Sequence, residues 1–164
     1  MDGLRVASLI LATMTTGMMA GVFGIYANAV MPGLAKTDDR TFVGAFQALD
    51  RAIVNPLFIG GGFVGALLTT LLAGLLHLGE DALPWIAAAF VLYLVTVLIT
   101  GAVNVPRNDA LKAAGDPDTI DNAAARAAFD ERRWRSANLV RVVLNTAAFG
   151  LLAYALVVTG RSGA

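Results

Sequence analysis

Four long apolar stretches dominate this chain of 164 residues, at about 4–30, 53–78, 83–105 and 137–159. Roughly 20 mostly apolar residues are what a helix needs to cross the hydrocarbon core of a bilayer. Lipid offers the backbone no hydrogen bonds, so such a stretch must be a helix or a strand of a closed barrel. These runs are continuous and lack strand-like alternation, which selects helices. Composition agrees: 57% of residues are hydrophobic and 15% charged, where a soluble domain carries about a quarter charged residues. The expected fold is all-α: an integral membrane four-helix bundle forming one domain over residues 1–164, with short interfacial helices in the two longer connections.

Several functions are excluded early. Net charge is zero and no basic run occurs, so nucleic acid is not an expected partner. The chain has no cysteine and one histidine, His77, which leaves no ligand cluster for a metal. Neither a P-loop nor a dinucleotide fingerprint is present. The opening "MDGLRVASLILATM" looks like a secretory signal, but its apolar run is too long and no small-x-small cleavage site follows. It is read as a retained span.

Within the connections, "HLGEDALPW" is short, so spans two and three are antiparallel neighbours, with Asp81 as the expected cap of span three. In "RTFVGAFQALDRA", Phe42, Phe46, Leu49 and Ile53 form one apolar stripe, with Gln47 and Asp50 mostly off it. That pattern predicts a short helix lying at the membrane interface. "GDPDT" is a turn and cap signal before an alanine-rich helix that leads into span four. Only Arg5 and Arg161 lie on the side of the termini; the other ten of the twelve Lys and Arg residues lie on the opposite side. The positive-inside rule then puts both termini outside and the longer connections in the cytoplasm, in a bacterial cell membrane. Gly17 with Gly21, and Gly61 with Gly65, are read as close helix packing and leave room for a homo-oligomer. His77 is expected at the far interface, beside water.

The polar residues gather at the cytoplasmic level. Tyr26 and Asn28 end span one. Asp50, Arg51 and Asn55 begin span two, and Thr100, Asn104 and Asn108 end span three. Trp134, Asn138, Arg141 and Asn145 share one face of span four, because they are separated by four, three and four residues. Pro106 is expected to end the third helix, letting Asn108 fold back over the bundle. Intramembrane charges usually face the bundle interior, so Arg141 is expected to point inward.

"FGIYANAVMPGL", "FQALDRAIVNPLF", "GAVNVPRNDAL" and "WRSANLVR", in this order on four spans, resemble the anthrone oxygenase-like integral membrane proteins. The N-V-P-x-N and N-x-x-R elements carry the resemblance, which covers nearly the whole chain. Two positions depart from the family's usual pattern: Asp50 stands where relatives tend to have asparagine, and Ala137 where they tend to have an aromatic residue. The resemblance implies O2-dependent oxidation of an anthrone to a quinone, as in aromatic polyketide pathways, without metal, flavin or other cofactor. The implied partners are a hydrophobic aromatic small molecule, O2 and the bilayer. On this reading Arg141, Asn104, Asn108 and Asp50 are catalytic. Arg141 and the amides bond the substrate's oxygens, and Asp50 is the best carboxylate for a general base. Asn55, Asn138, Trp134, Tyr26 and Asn28 would bind substrate. The competing reading is a non-enzymatic membrane protein that holds a lipid or small aromatic ligand through the same residues.

Overall fold

The computed structural model describes residues 2–162. It is helical throughout, with no strand among the described residues. Four helices are long and apolar enough to cross a membrane: Gly3–Leu34, Leu57–Leu76, Leu83–Ala113 and Asn122–Arg161, here spans one to four. The protein is an integral membrane four-helix bundle. Span one packs against spans two and four, and span three does the same; the side between spans two and three is the most sparsely packed of the four. At the end near the termini, Leu9, Ala12, Ala73, Ile86, Ala89 and Leu152 form a dry core. Leu4, Leu11, Met14, Leu57, Leu68, Leu98 and Val143 point outward and are exposed. Such a girdle would be a liability in water; in a bilayer it faces hydrocarbon.

Pro106 does not end span three. Thr100–Asn104 widens into π-helical turns, and the α-helix resumes at Val105 and runs to Ala113. A proline inside a helix lacks a donor and strikes the carbonyl four residues back. A wider turn just before it moves that carbonyl away, so the helix survives. Span one uses the same device, with π-turns at Tyr26–Val30 followed by Pro32 in the next turn. A third π-helical segment, Leu57–Val64, follows Pro56. All three lie at the same end of the bundle, where π-bulges in other proteins often mark function.

That end is covered by a layer of short helices. Asp38 caps the Asp39–Ile53 helix, accepting from Thr41 N at 2.9 Å. The Thr41 backbone bond, and then its hydroxyl, hold the Asp38 carboxyl below the usual carboxylate range. This helix buries Phe42, Val43, Phe46, Gln47 and Asp50, whereas Leu49 is exposed. The buried arc is therefore shifted from the expected stripe. The helix packs its buried face against Asn122–Phe129 and the end of span three. Its polar residues find partners there: Gln47 Nε2 donates to the Leu111 and Gly115 carbonyls at 2.8 and 3.0 Å. Phe42, Phe46, Phe129 and Trp134 form an aromatic cluster, with ring centroids 4.7 Å apart for Phe46–Phe129 and 5.7 Å for Phe46–Trp134. The Arg126 guanidinium sits 4.3 Å above Phe42 and is tied to Asp39 at 2.9 Å.

The turn after span three depends on Gly115, whose φ is +112° and where a Cβ would lie 3.0 Å from Ile120 Cγ2. Gly115→Ala is expected to destabilise the fold by more than about 1 kcal/mol. Thermal unfolding in detergent would register it as a lowered midpoint.

Four smaller expectations change. His77 is buried rather than interfacial: it is 1% exposed, with Nδ1 2.7 Å from the Ala73 carbonyl. The following turn folds back over it, Glu80 N–H donating to the His77 carbonyl and Arg5 pairing with Glu80. Asp81 caps nothing; the residue before span three is Ala82, without a side-chain cap. A Cβ added at Gly17 would meet the Phe149 ring at 2.8 Å, but one added at Gly21 would meet nothing within 4 Å. Gly65 serves its own π-turn, because a Cβ there would come 2.8 Å from the Gly60 carbonyl oxygen.

Candidate functional site

The three widened turns and the covering helices enclose a cavity of about 140 Å³. Its walls are mostly apolar, with Val22, Phe23, Phe46, Phe58, Ile59 and Phe63 among them. The polar side chains that reach it are Tyr26, Asp50, Thr100, Asn104, Asn108, Trp134, Asn138 and Arg141. Largely apolar walls with a few convergent polar groups are the usual make-up of a small-molecule pocket.

Two hydrogen-bonded chains organise these groups. The first forms a roof toward the covering helices. Trp134 Nε1–H donates to Asn108 Oδ1 at 2.7 Å, and Asn108 Nδ2 donates to Asp50 Oδ1 at 2.7 Å. Asp50 Oδ2 lies 2.7 Å from Lys112 Nζ, which also pairs with Asp109 at 3.0 Å. An indole N–H can only donate. The Asn108 oxygen must therefore face Trp134 and its amide nitrogen must face Asp50. Asp50 is only 6% exposed, and its carboxylate is held by one neutral donor and one cation.

The second chain forms a wall. Arg141 is 5% exposed and donates to Thr100 Oγ1 at 3.1 Å and to Asn138 Oδ1 at 2.8 Å. Asn138 in turn donates to the Phe23 carbonyl at 3.1 Å. The guanidinium lies 4.5 Å from the Phe23 ring centroid and 5.6 Å from that of Trp134. Asn104 Nδ2 donates to the Trp134 carbonyl at 3.3 Å. Two polar atoms of cavity-lining residues stay unpaired: Arg141 Nε, a donor, and Asn104 Oδ1, an acceptor. Arg141 also makes no ion pair among the described residues; its neighbours are amides, a hydroxyl and aromatic faces. A buried cation without a counter-ion is costly, so this site favours an anion.

The structure brings Tyr26, Asp50, Asn104, Asn108, Trp134, Asn138 and Arg141 to one cavity and leaves two expected residues out. Asn55 is exposed and spends its side chain on the break before span two, accepting from Phe58 N at 2.9 Å and donating to the Ala52 carbonyl at 3.0 Å. Asn28 is exposed and does not line the cavity. Asn108 reaches the roof from a continuing helix, not by folding back past a break. Asn145 is fully buried beyond Arg141, and neither of its polar side-chain atoms has a partner. Sequence reasoning passed over Lys112, Gln47 and Phe23. Lys112 had a usable signal: it stands one helical turn beyond Asn108, on the same face.

Among the described residues, no cluster of histidine and carboxylate side chains is arranged to hold a metal ion. A bundle of membrane-spanning helices with an arginine-bearing apolar cavity at one end defines the class. Within it, the chain belongs to the anthrone oxygenase family, whose family model matches residues 52–151. The matched region carries Asn104, Asn108, Trp134, Asn138 and Arg141, and begins just after Asp50. No curated protein and no solved structure matches the chain.

Proposed function

We propose that the protein is a cofactor-independent oxygenase of the membrane, oxidising an apolar polycyclic phenol of the anthrone type to a quinone with O2. The observation that carries this reading is the buried Arg141 guanidinium, which has no ion pair among the described residues, at an apolar cavity that also holds the buried Asp50 carboxylate. Asp50 takes a proton from the substrate methylene and leaves a delocalised carbanion–enolate. Arg141 and Asn138 hold the developing negative charge on the oxygen, which in a dry site is worth far more than in water. The anion gives its electrons to O2, and a C–O bond forms at the same carbon as a hydroperoxide. Loss of water from the hydroperoxide leaves the second carbonyl. One oxygen atom is kept, the other departs as water, and both methylene hydrogens are removed. The substrate supplies the electrons, so the polypeptide needs to contribute only a base and an anion site.

The test is O2 uptake by the purified protein with an anthrone, against protein-free autoxidation. Uptake above that background, with one quinone formed per O2 consumed, supports the reading; a rate equal to the background overturns it. Activity is expected to survive exhaustive chelation. Loss on chelation, with recovery on adding iron or copper, would remove the cofactor-independent mechanism.

The distribution of basic residues supports an orientation with the covering layer in the cytoplasm and both termini outside. Because the chain has no cysteine, single cysteines report sidedness cleanly. Asp81 and Ala114 are exposed at opposite ends of span three. An impermeant thiol reagent on intact cells should label Asp81→Cys and leave Ala114→Cys unlabelled until the cells are opened. The reverse pattern would invert the orientation.

A further inference from the structure

The cavity is closed on three sides. Toward the covering layer it is shut by the buried residues Phe46, Asp50 and Trp134, with Asn108 bridging the last two. Toward the far end of the bundle, spans one and four pack tightly around Met19, Phe23 and Arg141. Of all the residues that line the cavity, only Val54 and Val105 are exposed, at 57% and 42%. Val54 lies at the break between the Asp39–Ile53 helix and span two, and Val105 lies just after the π-turns of span three. Both stand on the sparsest side of the bundle. Leu57, three residues after Val54, is 80% exposed. Exposed aliphatic side chains therefore frame the opening, at the start of span two and within span three, and such a rim suits lipid better than water.

We infer that the cavity fills sideways from the bilayer, through a portal between spans two and three framed by Val54 and Val105 and backed by Phe58. Its ligand class is a flat apolar molecule already dissolved in the membrane, which reaches Arg141 without crossing the roof. The inference rests on the proposed function for the identity of the substrate. The route itself follows from the shape and exposure of the lining.

The portal can be tested without turnover. The chain has two tryptophans, and Trp134 lines the cavity whereas Trp85 packs edge-on against Tyr154 and does not line it. In a Trp85→Phe background, Trp134 is the sole tryptophan. The protein in phosphatidylcholine vesicles is mixed with vesicles carrying anthraquinone, and quenching of Trp134 is followed by stopped flow. Val54→Phe combined with Val105→Phe should slow quenching by about tenfold or more while leaving its final extent close to the parent's. Val54→Ala combined with Val105→Ala should speed it. At fixed total anthraquinone, the rate should rise as the probe-to-lipid ratio rises. Unchanged rates in both pairs of variants would overturn the portal, as would failure of anthraquinone to quench the parent. If quenching behaves as expected but the purified protein consumes no O2 with an anthrone, the oxygenase reading falls and the portal stands. If O2 uptake is present and the quenching rates ignore both substitutions, the portal falls alone.

Discussion

Arg141→Leu is expected to lower anthrone turnover by about a hundred- to a thousandfold, the range seen when one oxyanion donor is removed elsewhere. Arg141 makes no ion pair among the described residues, so its charge is available to an anion. Leucine keeps a short apolar stem but removes every donor. The substitution also leaves Asn138 Oδ1 and Thr100 Oγ1 without the guanidinium. Some loss of stability should therefore accompany the loss of rate, and the two must be separated. Circular dichroism and gel filtration in detergent should show a folded helical protein, with the deficit confined to turnover. Arg141→Lys should fall between the two, since an ammonium restores charge but not the planar fork. A leucine variant that turns over at the parent rate would remove Arg141 from the mechanism.

The second large effect is expected at Asp50. Asp50→Asn separates two roles that the carboxylate combines. Asparagine can still accept from Asn108 through its oxygen, so the roof from Trp134 to Asn108 should hold. It cannot take a proton, and its amide nitrogen would face the Lys112 ammonium in place of an anion. If the carboxylate is the base, turnover should fall by about a hundredfold or more. The loss should be partly recovered by raising pH, as hydroxide takes over the proton. A variant with unimpaired turnover would show that the proton leaves to solvent and that Asp50 only frames the cavity. Lys112→Met tests the same pair from the other side. It leaves Asp50 with a single neutral donor, and a smaller, KM-neutral change in rate is expected.

The architecture could be read almost entirely from local sequence. Four apolar runs have one solution in lipid, and the concentration of Asn, Arg and Trp at one level follows from alternating helix direction alone. Arg141, Asn138 and Trp134 were legible because they share a face of one uninterrupted helix, where spacing translates directly into direction. Asn104 and Asn108 were harder, because the π-turns between Thr100 and Asn104 change the phase of the helix, and 3.6-residue spacing cannot see them. Pro106 reads as a helix end for the same reason. Asn55 and Asn28 carry the right chemistry at the right level. A side chain consumed by its own backbone turn, or turned outward, looks the same in sequence as one turned inward. Lys112, Gln47 and the burial of Asp50 depend on how the covering helix docks, a long-range packing event without local periodicity. His77 misled for a related reason: its burial comes from the turn that folds over it.

The widened turns bear on how the length of such a chain can vary. In a regular helix each residue advances the chain by about 100° and 1.5 Å. Losing one residue from Ile86–Leu98 would therefore rotate Thr100, Asn104 and Asn108 off the cavity together. A π-turn holds a surplus residue that the neighbouring turns do not count. Removing it there lets the turn tighten while the faces on either side keep their phase. Single-residue gaps between this chain and its relatives should accordingly fall within Tyr26–Val30, Leu57–Val64 or Thr100–Asn104. A relative missing the surplus residue in the first or third of these should also lack the proline that follows, since a tightened turn would return the carbonyl to the path of the ring.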